Sequence, residues 1–223
     1  MNYLIWWSIN SGKLEFVNEL IKEWKVKPED VFQWDILRKE LYDSLSQEEK
    51  EKLFPRMHRI FSKWEKWINI IQETWVEKYL EIEREESRVV YERKIKPLID
   101  SMSEETKKVI VWVQLLPEFI ENDVKSNPNL KSVFLIRDNV DDILRREEEY
   151  AQESQNQRNY INSLSANTIE NWEASNQYLL HALAKAKYGE MIRNELEKLW
   201  LNSIVLNTTI DFNSRILWLV WKL

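Results

Sequence analysis

Acidic side chains at helical spacing are the first place to look for chemistry in this sequence. Glu83 and Glu86 form an E-x-x-E pair, and Asp138, Asp141 and Asp142 form an acidic trio. Carboxylates three or four residues apart share one face of a helix. A carboxylate set on one face is what a Mg²⁺ ion bridging to a phosphate requires. These five are the weak metal candidates of the chain, and they carry an alternative reading as a metal-dependent all-α hydrolase acting on a phosphorylated small molecule. The helical wheel argues against the trio. Val133, Ile136, Val140, Ile143 and Leu144 centre on the side opposite the aspartates, whereas metal sites in helical bundles use inward-pointing side chains. Solvation and the positive end of a helix dipole explain acids on an outer face near a helix start.

Other routes to catalysis close quickly. The 223 residues contain no Cys, so thiol nucleophiles, thiolate zinc sites and disulfides are excluded together. Gly12 and Gly189 are the two glycines, too few and too far apart for a phosphate-cradling loop or a nucleophile elbow. His58 and His181 have no His, Asp or Glu three or four residues away, so neither starts a helical metal pair. No Ser, His and acid combination stands out. The expectation is no catalytic residue and no cofactor.

Tryptophan is the positive anomaly, with 12 in the chain. The pairs Trp6/Trp7, Trp64/Trp67 and Trp218/Trp221 are the candidate interface residues, since Trp is enriched at binding hot spots. Trp75, Trp112, Trp172 and Trp200 are expected in the core. The leading expectation is therefore a non-enzymatic structural or protein-interaction protein, forming a homo-oligomer with itself or binding a protein partner. Nucleic acid and membrane are not expected as partners. The balance of 32 basic and 38 acidic residues gives a net charge of −6 and no basic footprint. Arg84, Arg88, Arg93, Lys94 and Lys96 interleave with Glu81, Glu83, Glu85, Glu86 and Glu92 as a self-paired surface. The longest uncharged runs, 1–12 and 199–210, are twelve residues each. Both fall short of the ~20 that span a bilayer. With no Cys and no signal peptide, a cytoplasmic location is expected.

The elements that must position these residues read as helices. Scarce Gly and Pro, with abundant Glu, Lys, Leu and Arg, favour few long helices over a turn-rich β fold. The expected fold class is all-α: an elongated multi-helix bundle, coiled-coil-like, with two long helices at about 55–96 and 128–163. The apolar termini fit short strands or short helices equally. One domain, 1–223, divides into short helices over 1–54, the long-helix bundle over 55–206 and an apolar tail over 207–223. Ser46-Gln47-Glu48-Glu49 is a capping box. Pro97 is expected to stop the first long helix and Gly189 to cap or kink the last. If 103–125 is a helix returning about 33 Å along the first, the two long helices run parallel and Glu147 falls beside Arg93. That pair is the predicted seam ion pair, setting register.

Overall fold

Five runs read above as helical or ambiguous are strands of one parallel sheet, and this overturns the all-α bundle. The computed structural model describes residues 2–7, 13–24, 26–65, 67–112, 116–136, 139–145, 171–199 and 203–207. Strand β1 is Asn2–Trp7, β2 is Val31–Gln33, β3 is Val109–Trp112, β4 is Leu130–Ile136 and β5 is Ile204–Asn207. They form a five-stranded sheet in the order β2-β3-β1-β4-β5, with every pairing parallel. The helices are α1 (Lys13–Trp24), α2 (Trp34–Ser44), α3 (Gln47–Leu53), α4 (Pro55–Ser62), α5 (Trp67–Val90), α6 (Lys96–Asp100), α7 (Pro117–Ser126) and α8 (Asn171–Leu199). A short helix also covers 140–145.

The cause of the misreading is burial on both faces. A strand covered on both sides keeps no polar alternation and reads as a continuous apolar run. Every residue of Val109–Trp112 is buried, as are five consecutive residues at the end of β4. Val133 and Ile136 mimic helical spacing only because Phe134 and Leu135 between them are apolar too. Asn2 adds a local reason why Ser103 does not start a helix. Its side-chain amide donates to the Ser103 carbonyl (3.0 Å), while its Oδ1 accepts from Thr106 Oγ1 (2.8 Å) and the Lys108 amide (2.9 Å). That buried asparagine holds 103–108 as a turn leading into β3.

The single helix expected over 55–96 is also broken. Trp64 (φ 53°) interrupts it between α4 and α5, and Trp75 (φ 64°, ψ 163°) kinks α5. The chain runs past Pro97 through a π-helical turn, Tyr91–Ile95, into α6. The wider turn fits a proline, which has no amide and whose ring would strike the carbonyl four residues back in a regular helix. Gly189 is a buried residue inside α8 rather than a cap. The local features fared better: Ser46 and Glu49 close the capping box that opens α3, and Leu14, Val17, Leu20, Ile21 and Trp24, which recur at helical spacing, all lie on α1.

The main core lies on one face of the sheet. Leu4 and Trp6 of β1, Ile110 and Trp112 of β3, and Phe134 and Ile136 of β4 pack there against side chains of α2, α4, α5, α7 and α8. The alternate residues Tyr3, Ile5, Val109, Val111, Val133 and Leu135 are equally buried but belong to the opposite face. Right-handed crossovers fix which helix goes where. From β1 the chain moves to the β2 edge. From β2, β3 and β4 it always moves back the other way. Helix α1 therefore covers the opposite face from α2–α8, and its buried Val17 takes no part in the main core.

Candidate ligand site at the carboxyl edge of the sheet

Strand β1 is the topological switch of the sheet. Its outgoing connection crosses one face, while those of its neighbours β3 and β4 cross the other. In open parallel sheets the diverging connections leave a crevice beyond the carboxyl ends of such strands, and ligands bind there.

The residues at that edge form a row of rings across β1, β3 and β4 and the start of α2. Trp6 is the ladder partner of Trp112 on one side and of Phe134 on the other. Gln33 pairs with Val111, which brings the next residue, Trp34, level with Trp112. The Trp34 and Trp112 rings stack at 4.3 Å, and Trp6 lies 6.3 Å from Phe134. From the helical layer Tyr188 stacks on Trp6 (6.4 Å) and Tyr91 approaches Trp112 (6.1 Å). The rings are closed to solvent, yet the indole N–H groups of Trp6, Trp34 and Trp112 and the hydroxyls of Tyr188 and Ser87 have no hydrogen-bond partner among the described residues. Buried polar groups are nearly always paired, and each orphan costs about 1–3 kcal/mol. Indoles only donate, so they cannot satisfy one another.

Behind Tyr188 lies a buried charge cluster. The Arg56 guanidinium contacts Glu83 (3.2 Å) and Glu86 (3.0 Å) and donates to Tyr79 Oη (3.1 Å). Glu86 Oε1 also accepts from the backbone amides of Arg56 (2.7 Å) and Met57 (3.1 Å), in the first turn of α4. A carboxylate at a helix N-terminus complements the dipole and the unpaired amides. Burial pushes the Glu83 carboxyl up, against the pull of Arg56. Burial and the Glu83 charge raise the Tyr79 phenol to about 12.

Between α5 and α8 opens a cleft of about 430 Å³, lined by Glu77, Leu80, Arg84, Lys187, Met191 and Glu195 among others. Several of its ions have partners in the lining or just outside it. Arg84 grips Glu118 at the start of α7 with two parallel hydrogen bonds, and Lys187 pairs with Glu77. Glu195 accepts from the Glu118 amide at 3.5 Å, and burial followed by the Glu118 charge raises its pKa. Burial raises the Tyr188 phenol too, with Glu83 and Glu195 adding to it. Perturbed acids in a cleft beside a switch point are a physical signature of a functional site.

The structure separates the residues singled out from sequence. Glu83 and Glu86 come together, but around a guanidinium. Asp138 lies outside the described residues. Asp141 is exposed, and Asp142 pairs with Arg145 (2.8 Å) while Asn139 Oδ1 accepts from its amide (2.9 Å). Among the described residues no three His, Cys, Asp or Glu are placed to hold a metal ion. Trp6 is core rather than surface, Trp64 is 90% exposed, and Trp75, expected in the core, is 72% exposed. Trp7 ends β1 and Trp67 opens α5, but their side chains lie outside the described residues, as do Trp218 and Trp221. Arg93 is exposed on the π turn and Glu147 lies outside the described residues, so the parallel long helices that suggested their pairing are gone. The basic residues near it are held by acids: Arg84 and Arg88 by Glu118, Lys94 by Glu40, and Lys96 by Asp100 and Asp123. Sequence reasoning missed Arg56, Tyr188 and the Trp34–Trp112 stack. A signal was present for Arg56: a buried Glu86 in an apolar stripe demands a cation.

No protein-family model matches the sequence, and no curated protein resembles it. The fold and the site therefore speak alone. Among the described residues no helix is long and apolar enough to cross a membrane.

Proposed function

We propose that this chain is a ligand-binding α/β domain that holds a small molecule at the carboxyl edge of its parallel sheet. The divergence of the chain at β1, flanked on both sides by strands whose connections take the opposite face, carries the reading. The orphaned donors at the same edge support it. Strained or unsatisfied groups concentrate where function overrides stability. A chain without cysteine gains nothing from an oxidising compartment, which supports a cytoplasmic setting. The test is a small-molecule library screened by thermal shift, with hits mapped by backbone amide shifts. Perturbations at Trp6, Trp112, Leu116 and Asn139 are expected. Hits that leave those amides unmoved would sink the proposal.

Exposed aromatic side chains favour a second reading, self-association through the α4–α5 junction. Phe61, Trp64 and Trp75 are 51%, 90% and 72% exposed. At about 150–250 Å² per ring, they offer roughly 450 Å² per chain, approaching the ~600–800 Å² per partner of a small stable interface. Sedimentation at high micromolar concentration is expected to show a dimer that Trp64→Ala weakens. A strict monomer removes this reading and leaves the first untouched.

A further inference from the structure

The two projecting tryptophans share a backbone feature. Among the described residues, the non-glycine residues with positive φ are Trp64 (53°) and Trp75 (64°), and both are largely exposed. Trp64 sits just past the end of α4, in the left-handed conformation where glycine is usual. Strain that falls twice on a projecting indole marks a conformation that the surrounding structure enforces.

Arg59 does the enforcing. Its carbonyl accepts from the Glu65 amide (3.1 Å), and its Nε donates to the Glu65 carboxylate (2.7 Å). Its Nη2 reaches both Glu65 and Glu73. Glu65 directly follows Trp64, and Glu73 stands two residues before Trp75. One planar guanidinium thus ties together the two stretches of backbone that carry the strained indoles. Hydrogen bonds from Arg59 hold the Glu65 carboxyl below its usual range, so the tie stays charged through neutral pH.

Charge and area indicate what this surface meets. Arg59 and Lys63 balance Glu65 and Glu73, so an identical patch approaches without like-charge repulsion. A strongly basic or acidic partner finds no excess of the opposite sign. In a two-fold contact the same patch lies on both sides, and Phe61, Trp64 and Trp75 of each chain supply the apolar area.

We propose that Arg59 is a positioning residue for self-association: it ties Glu65 to Glu73 so that Trp64 and Trp75 stack on the same pair of a second copy. This rests on the self-association reading and adds the device that prepares its surface. A surface ordered in advance loses less freedom on binding. Breaking the tie therefore weakens the dimer while every ring that makes the contact is kept.

The test is sedimentation equilibrium of the full chain from low to high micromolar concentration. Arg59→Ala is expected to raise the dimer Kd about tenfold or more, while its Tm stays within about 4 °C of wild type. Glu65→Gln with Glu73→Gln leaves Arg59 in place and should weaken the dimer as much. Joining all three substitutions should add nothing further. A Kd unchanged in Arg59→Ala overturns the proposal, as does a larger fall in Tm, which would make the tie a support of the fold. A doubly substituted glutamine variant that dimerises like wild type also overturns it, because Arg59 would then be touching the partner chain itself. A wild-type dimer that Trp64→Ala weakens keeps the self-association reading even where the tie fails. A wild-type monomer at high micromolar concentration removes both. So does a monomer whose tryptophan emission shifts to the blue on phosphatidylcholine vesicles, which would assign the indoles to a lipid surface.

Discussion

Arg56 and Arg59 sit one turn apart on α4, and each binds two glutamates. Arg56 meets Glu83 and Glu86 beneath the helical layer, with about 7% of its side chain exposed. Arg59 meets Glu65 (2.7 Å) and Glu73 at the α4–α5 junction, with 25% exposed. Their chemistry is the same and their consequences are not. The inner cluster is dry, so every charge in it depends on its partners. The outer one is wet and screened, and such pairs contribute about 0.2–1 kcal/mol. Tryptophans divide along the same line. Trp6, Trp34 and Trp112 are packed against the sheet, whereas Trp64 and Trp75 project from the junction beside Arg59. One face of the α4–α5 unit therefore specifies the fold, and the other is free to change without unfolding it.

The sharpest way to break this comparison is to remove one charge from each cluster. Glu86→Ala leaves Arg56 with Glu83 as its one buried carboxylate and two amides of α4 without their acceptor, and is expected to cost about 3–5 kcal/mol in denaturant unfolding. Arg59→Ala is expected to cost about 1 kcal/mol or less. Equal losses would mean that the two faces do not differ as argued. Replacing Arg56, Glu83 and Glu86 together by Met, Leu and Leu should recover most of the stability, because the large cost is that of stranding a charge.

How much of this was legible from sequence depends on the range over which each feature is determined. The capping box at Ser46 and the apolar face of α1 are local, and local chemistry fixed both. Glu86 shares the helical line of Tyr79, Ile82 and Val89, but its partner lies 30 residues away and only the fold joins them. The two readings of Trp75 and Trp6 failed for opposite reasons. Trp75 lay on a perfect helical stripe that a kink turns outward, while Trp6 sat at a chain end that proves to be the middle strand of the sheet. Strands β3 and β4 were hidden by two-sided burial, and with them went the switch point at β1. The candidate site was therefore illegible: its residues come from β1, β3, β4, α2, α5 and α8, brought together by crossovers that no short-range pattern records.

The exposed face gives the next test, because its backbone is strained where its tryptophans project. Trp75 has φ 64° and ψ 163°, a region reserved almost entirely for glycine. Holding another residue there costs about 1–3 kcal/mol, of which glycine's extra chain entropy returns about 0.5–1 kcal/mol. Trp75→Gly is thus expected to stabilise the chain by about 1 kcal/mol, despite the loss of the largest side chain. A destabilised variant would show Trp75 to be packed. If the variant is more stable and no longer self-associates, the strain is maintained for the interface.

The smallest expected effect sharpens the inner side. Glu195 is half-buried with its pKa raised by burial and by Glu118. A carboxyl whose folded pKa exceeds its unfolded value binds its proton more tightly in the native state. Its contribution is fully present below the unfolded pKa near 4.5 and is lost as pH rises through the folded value. Glu195→Gln keeps the shape and removes the titration, so the variant should match wild type near pH 4 and exceed it at pH 7. The gain at pH 7 should be smaller than either effect above, because solvent reaches the cleft. A variant less stable than wild type at pH 7 would mean that the ionised Glu195 is held by Arg84 and the α7 amide strongly enough to outweigh its burial.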